Sequence, residues 1–129
     1  MTVLTGRGLH GGAAASVRFV REAGAVRLRR GAVEARIAEL VLDGSSRSTT
    51  ASTRDGRLTV RTVEHLFAAL GSMSIRDGIV IDVDGPEIPL LDGGARAFVD
   101  ALEPLGIGAS PPVLRIVRAG VFDVGPSRY

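Results

Sequence analysis

The chain has 129 residues, of which 45% are hydrophobic, and it contains no cysteine. This size and apolar content predict one domain with an aliphatic core, and the cysteine count excludes disulfides and thiolate metal sites. Sixteen basic and fourteen acidic residues leave a net charge of +2, which gives little of the long-range field that attracts nucleic acids. No apolar run could span a bilayer and no secretory pattern opens the chain, so we expect a soluble, cytoplasmic protein.

The first half of the chain predicts strands. Apolar and charged residues alternate at 16–20 and 25–29 around the turn-like sequence REAG, which predicts a hairpin of two half-buried antiparallel strands. The same alternation favours extended structure over helix at 33–42. Residues 42–57 are polar and rich in turn formers, which predicts a loop that holds one strand. A short strand at 57–60 then leads directly into a helix.

This first helix is predicted to start at residue 62 or 63. Thr62 is the expected N-cap, because its hydroxyl can accept a backbone N–H, and Val63 is then the first helical residue. An apolar stripe at helical spacing follows, made of Val63, Leu66, Phe67 and Leu70. At about 100° per residue, Glu64 lies at the flank of the stripe and His65 nearly opposite it. Both side chains therefore project from the exposed first turn.

The second half predicts one central strand and one more helix. The segment 79–83 is apolar on both faces at its start, which is typical of a central strand. The segment 85–94, with two prolines fenced by glycines, can be neither regular helix nor inner strand and predicts a stiff connection. Helical spacing of apolar residues predicts a helix at 95–105. Residues 107–112 read as a linker, and 113–129 as a further strand or pair of strands.

Glu64 and His65 are candidates for metal chemistry. The positive end of the helix dipole favours a carboxylate and a neutral imidazole; neutral imidazole binds metals, and a neighbouring carboxylate is a common base for metal-bound water. The same two residues can also be explained without a function, because an acid stabilises the first turn of a helix and a histidine is common on a surface. In addition, a helical zinc motif normally offers two histidines one turn apart. His10, in the sequence GRGLHGG, allows a ligand-binding loop or a plain glycine-rich hairpin.

Three motifs carry a resemblance to a known family. They are TGRGLHGG (5–12), TVEHL (62–66) and GPEIPLLDG (85–93). Together they resemble the N-terminal half of the UDP-3-O-acyl-N-acetylglucosamine deacetylase family, zinc amidases of lipid A synthesis in Gram-negative bacteria. The resemblance implies an α+β fold, with one sheet of mostly antiparallel strands and helices packed on one face. It also implies that 1–106 is the first of two similar domains and that 113–129 begins the second.

The resemblance further implies roles for individual residues. His65 matches a ligand of the catalytic Zn²⁺, and Glu64 matches the general base that takes a proton from the attacking water. Four residues fall where the family contacts its substrate or lines the passage to it: Leu9, His10, Ser48 and Thr49. The segment GPEIPLLDGG shapes the fold and supports the site, and no catalytic role is implied within it. The substrate is UDP-3-O-acyl-N-acetylglucosamine, which loses acetate.

The metal site is incomplete under this reading. A catalytic zinc takes about three protein ligands, and His65 alone matches one; the resemblance places the others in the second domain. We therefore expect either a half-enzyme that works with a complementary second-domain chain, or a non-catalytic module of the same fold. A small basic domain that binds nucleotide or RNA is a third hypothesis, against which the scarcity of aromatic side chains counts. Membrane contact is expected to be peripheral at most.

Overall fold

The computed structural model describes residues 2–44, 47–109, 120–121 and 123–128. Within these residues the chain forms ten strands, two α-helices and two 3₁₀ turns. In chain order the strands and helices are β1 (Thr2–Arg7), β2 (Ala14–Ala25), β3 (Arg27–Arg30), β4 (Val33–Arg36), β5 (Val41–Asp43), β6 (Thr50–Ser52), β7 (Thr59–Arg61), α1 (Glu64–Ser72), β8 (Asp77–Asp84), α2 (Arg96–Leu102), β9 (Asp123–Val124) and β10 (Ser127–Arg128). The 3₁₀ turns are Ile37–Glu39 and Glu103–Leu105.

Five strands form the main sheet, in the order β1-β2-β8-β3-β4. Neighbouring strands are antiparallel except for β3 and β8, which are parallel. The strand β8 lies at the centre of this sheet, as its apolar sequence predicted. The structure therefore confirms an α+β fold built on one sheet of mostly antiparallel strands.

The predicted hairpin between 16–20 and 25–29 is wrong. Both segments are strands, but β8 lies between them. Phe19 of β2 faces Ile81 in antiparallel register, and Leu28 of β3 faces the same Ile81 from the parallel side. Alternation along a segment shows which side chains share a face, but it does not say which strand is the neighbour. The polar REAG sequence therefore resembled a tight turn, whereas β2 runs on through it.

The core lies on the inner face of the main sheet. This face contributes Val17, Phe19, Leu28, Ile79, Ile81 and Val83. The two helices add Leu66, Ala69, Leu70, Phe98, Ala101 and Leu102 to the same cluster. Each large apolar side chain that is removed from water in this way stabilises the fold by about 1.5–3 kcal/mol. Both helices thus pack on one face of the sheet, as predicted.

A second sheet of three strands, in the order β5-β6-β7, leads into α1. It includes the predicted strand inside the polar loop, and the extended segment at 33–42 appears as β4 and β5 with a 3₁₀ turn between them. Buried Ala51 and Val60 join this small sheet to the main core. Because β7 ends at Arg61 and α1 begins at Glu64, the small sheet fixes where the helix starts.

The predicted linker at 107–112 and terminal strands at 113–129 lie largely outside the described residues. Of these, the structure describes 107–109 and a short antiparallel hairpin formed by β9 and β10. The domain boundary after residue 106 thus stays a prediction. No helix in the described ranges has both the length and the apolar character needed to cross a bilayer.

Candidate active site

Helix α1 starts one residue later than predicted, and its expected cap is absent. Val63 is the N-cap, and its carbonyl accepts the N–H of Phe67 at 2.9 Å. Thr62 has a φ of +59°, is 2% exposed, and its hydroxyl has no hydrogen-bond partner within the described part of the chain. The left-handed backbone of Thr62 directs its side chain into the interior and away from the free N–H groups of the first turn. The prediction of Thr62 as N-cap was therefore wrong.

The segment that carries Ser48 and Thr49 holds Glu64 in place. The backbone N–H of Thr49 donates to Glu64 Oε2 at 3.2 Å. The carbonyl of Thr49 accepts the N–H of Val63, also at 3.2 Å. Ser48, next to it, is buried. The structure thus brings Ser48 and Thr49, which the sequence placed along a substrate passage, to the first turn of α1 beside the expected base.

Glu64 and His65 are both partly exposed, whereas Leu66 is fully buried. This arrangement follows the predicted apolar stripe. The imidazole of His65 makes no hydrogen bond to any residue that the structure describes. Across the described ranges, no three His, Cys, Asp or Glu side chains gather closely enough to hold a metal ion. Within the described residues, Glu64 and His65 therefore have no third side chain of this kind beside them.

The glycine-rich motif forms the turn between β1 and β2. The N–H of Gly8 donates to the carbonyl of Ala13 at 2.9 Å, and the N–H of Gly12 donates to the carbonyl of Gly8 at 3.0 Å. Gly12 has a φ of +62°, which glycine adopts without steric cost. Leu9 and His10 are exposed in this turn. The motif is thus a hairpin turn that leaves both side chains exposed, and a binding role for His10 stays a prediction.

Glu87, in the proline-flanked connection after β8, is the residue that sequence reasoning missed. It is 1% exposed. Its Oε2 accepts the backbone N–H of His10 at 3.1 Å and that of Gly11 at 3.3 Å, and its Oε1 lies 3.4 Å from Arg61 Nη1. In the sequence the only hint is an acid between two prolines, because the loop that it contacts lies 77 residues away along the chain.

Comparison with known proteins decides the family. The family model described as UDP-3-O-acyl N-acetylglycosamine deacetylase matches residues 1–119. The chain belongs to this deacetylase family. This match confirms the family that the three motifs indicated in the sequence.

Several curated members of the deacetylase family are similar to this chain, and each is named UDP-3-O-acyl-N-acetylglucosamine deacetylase. The protein from Vibrio vulnificus strain YJ016 is 46% identical over 69 residues, which cover 54% of this chain and 22% of that protein. The protein from Shewanella frigidimarina is 43% identical over 72 residues, 54% of this chain and 23% of that protein. The protein from Brucella melitensis biotype 2 is 32% identical over 123 residues, 89% of this chain and 41% of that protein. The chain therefore spans less than half the length of these relatives.

Proposed function

We propose that this chain contributes one half of the active site of a zinc-dependent deacetylase. The substrate is UDP-3-O-acyl-N-acetylglucosamine, which loses the acetate of its acetamide group as a step of lipid A synthesis. The observation that carries the proposal is the Glu64–His65 pair on the partly exposed first turn of α1, in a chain that belongs to this family. The names of the relatives support the choice of substrate.

In this proposal Glu64 is the general base. The N–H of Thr49 fixes the carboxylate through Oε2, which leaves Oε1 to accept a proton from the water that attacks the acetamide carbonyl. The C–N bond then breaks, acetate leaves, and the sugar amine takes up the proton. A positioned base of this kind contributes about 10²–10⁴-fold to the rate. Leu9, His10, Ser48 and Thr49 are assigned to substrate contacts.

His65 is the ligand that this chain offers to zinc. Its ring hydrogen-bonds to no described residue, and neutral imidazole is a good zinc ligand. When bound, zinc supplies Lewis acidity to the carbonyl and lowers the pKa of water. Because the described residues bring no third donor to this pair, the proposal assigns the other ligands to polypeptide outside them, such as a complementary second domain.

The test is a chimera in which this chain replaces the matching N-terminal portion of the Brucella melitensis relative. Zinc content is measured by inductively coupled plasma mass spectrometry, and acetate release is measured with UDP-3-O-acyl-N-acetylglucosamine. We expect the chimera to hold zinc and to release acetate. His65→Ala should lose most of the zinc, because the site loses a ligand. His10→Ala, which changes the other histidine of the chain, should keep it.

Two results would contradict the proposal. One is a His65→Ala chimera that holds as much zinc as the parent. The other is a folded chimera that releases no acetate, which would favour the non-catalytic module of the same fold. The observation in favour of this second function is the incomplete set of metal donors around His65 among the described residues.

A further inference from the structure

Glu87 is a buried acid for which the proposed chemistry has no use. Among the described residues, three polar side chains are buried, and Glu87 is the only charged one. A carboxylate that is removed from water costs several kcal/mol unless polar groups surround it. Its partners therefore indicate what this side chain does in the molecule.

The first set of partners lies in the turn between β1 and β2. Oε2 accepts the N–H groups of His10 and Gly11. The turn also packs tightly on the carboxylate, because a Cβ added at Gly8 would lie 2.8 Å from Glu87 Cδ and closer still to Oε2. Gly8 is thus required for the close approach of backbone and carboxylate. The backbone position of His10 depends on a side chain from a distant part of the chain.

The second set of partners lies in the strand that leads into α1. Arg61 Nη1 is 3.4 Å from Oε1 and offsets its charge without donating a hydrogen bond, so Oε1 accepts none from the described residues. The backbones are joined as well: the N–H of Arg61 donates to the carbonyl of Pro86 at 3.1 Å, and the N–H of Ile88 donates to the carbonyl of Arg61 at 2.9 Å. Arg61 is three residues before Glu64.

Glu87 therefore connects two parts of the candidate site that the chain itself keeps apart. On one side it holds the turn that carries His10, and on the other it contacts the strand that delivers Glu64 and His65. We propose that Glu87 is a positioning residue, which fixes the backbone of His10 relative to the first turn of α1. This role rests on the proposed function only insofar as His10 contacts substrate. It places Glu87 in contact with no reacting atom.

Amide hydrogen exchange in the 129-residue chain tests the contact without any need for activity. His10 and Gly11 are exposed, yet their N–H groups donate to a buried carboxylate, whereas the N–H of Leu9 has no partner among the described residues. We expect the amides of His10 and Gly11 to exchange at least about tenfold more slowly than the amide of Leu9. Equal rates for all three amides in the unmodified chain would overturn the proposal.

Two variants of matched size separate the acceptor from the shape of the side chain. Glu87→Met removes the acceptor, and the chain should still fold because water can reach the freed N–H groups of the exposed turn. We expect it to bring His10 and Gly11 to the exchange rate of Leu9. Glu87→Gln keeps an oxygen and should retain most of the protection. Glu34→Met, which removes an acid that pairs with Arg27 and Arg29 elsewhere on the sheet, is the control. Full protection in Glu87→Met would overturn the proposal.

Kinetics of the chimera test whether the contact serves the site. Loss of one positioning contact should raise KM by about tenfold in Glu87→Met, with a smaller change in kcat, and Glu87→Gln should restore KM. In a His10→Ala background, Glu87→Met should have no further effect on KM, because both changes act through one group. An equal effect in both backgrounds would overturn the positioning role. An inactive parent chimera would instead count against the proposed function, and the exchange rates would still decide the contact.

Discussion

Asp82 and Glu87 lie five residues apart in the chain, one on the outer face of the main sheet and the other against the turn that carries His10. Asp82 faces Arg18 across one neighbouring strand and Arg29 across the other, and it forms ion pairs with both. Strand register alone brings these charges together. The outer face thus balances its charges with partners from adjacent strands.

The region around Glu87 is built differently. Its carboxylate is buried, and one of its oxygens accepts no hydrogen bond from the described residues. Thr62, which follows Arg61 in the chain, has a left-handed backbone and a hydroxyl without a partner among the same residues. Such features cost free energy, and functional sites are where they collect. The sheet face thus pairs its charges between adjacent strands, whereas the approach to α1 contains buried polar atoms without partners among the described residues and a left-handed backbone at Thr62.

The largest difference between the two regions is expected in catalysis. Glu64→Gln keeps an oxygen for the N–H of Thr49 but removes the base, so kcat of the chimera should fall by about 10²–10⁴-fold. Asp82→Asn, which removes an acid from the outer face, should leave kcat unchanged. Steady-state acetate release measures both. A Glu64→Gln chimera with the parent's kcat would contradict the expected difference between the two regions.

Crowding at Glu87 gives the next effect. Gly8→Ala places a methyl group against the carboxylate, and we expect it to lower the free energy of unfolding by about 1–3 kcal/mol. Gly94→Ala adds a methyl group where no atom lies within 4 Å, and its effect should stay within about 0.5 kcal/mol. Urea denaturation of the chain measures both. Equal stability of the two variants would show that the turn can move away from Glu87 at no cost.

Backbone strain at Thr62 can be weighed against an ordinary strand position. Glycine adopts positive φ freely, so Thr62→Gly relieves strain at the same time as it removes a side chain. Thr59→Gly, in β7, removes a similar side chain from regular backbone. We expect Thr62→Gly to cost about 1 kcal/mol less than Thr59→Gly, although Thr62 is the more deeply buried. The reverse order in urea denaturation would mean that Thr62 stores no strain.

The outer face should respond to acid. Partial burial raises the pKa of Asp82, but hydrogen bonds from Arg18 and Arg29 outweigh it, and the pKa lies below its usual 3.8. A lowered pKa in the folded state stabilises the protein above the unfolded value, and this contribution is lost as pH falls through the folded pKa. The unfolding free energy should therefore drop by about 0.2–1 kcal/mol more below pH 4 in the parent than in Asp82→Asn. Parallel acid profiles would contradict this.

The smallest effect concerns Asp55, in the exposed turn between β6 and β7, which serves as a reference outside both regions. Hydrogen bonds from the Thr53 hydroxyl, and then from the side chain and backbone of Arg57, lower the pKa of Asp55 to about 2. A carbon-detected NMR titration should find this midpoint. Thr53→Val removes the leading donor and should raise the midpoint toward 3.8. An unmoved midpoint would assign the whole shift to Arg57.

Local patterns predicted much of the fold. The strand at 79–83 was correctly placed at the centre because both its faces are apolar, and α2 followed from helical spacing. The pairing of β2 with β8 was not predictable, because partners far apart in the chain leave no mark on the alternation of either strand. Regular elements with local signals were therefore found, and their neighbours were not.

The candidate site divides in the same way. The exposure of Glu64 and His65 followed from the position of the apolar stripe on α1. The cap at Thr62 was wrong because a residue type does not reveal a left-handed backbone. Glu87 was missed because its burial depends on a turn near the start of the chain. Their roles in metal binding, catalysis and substrate contact stay predictions.

The central position of β8 has a consequence for synthesis on the ribosome. Residues 2–36 emerge well before 77–84, so the edges of β2 and β3 that β8 will cover stay open while α1 is being made. Unpaired edges of this kind attract other extended chains. We expect nascent chains stalled before β8 to be digested readily by protease, and protection of the whole sheet to appear only once Asp84 has left the exit tunnel.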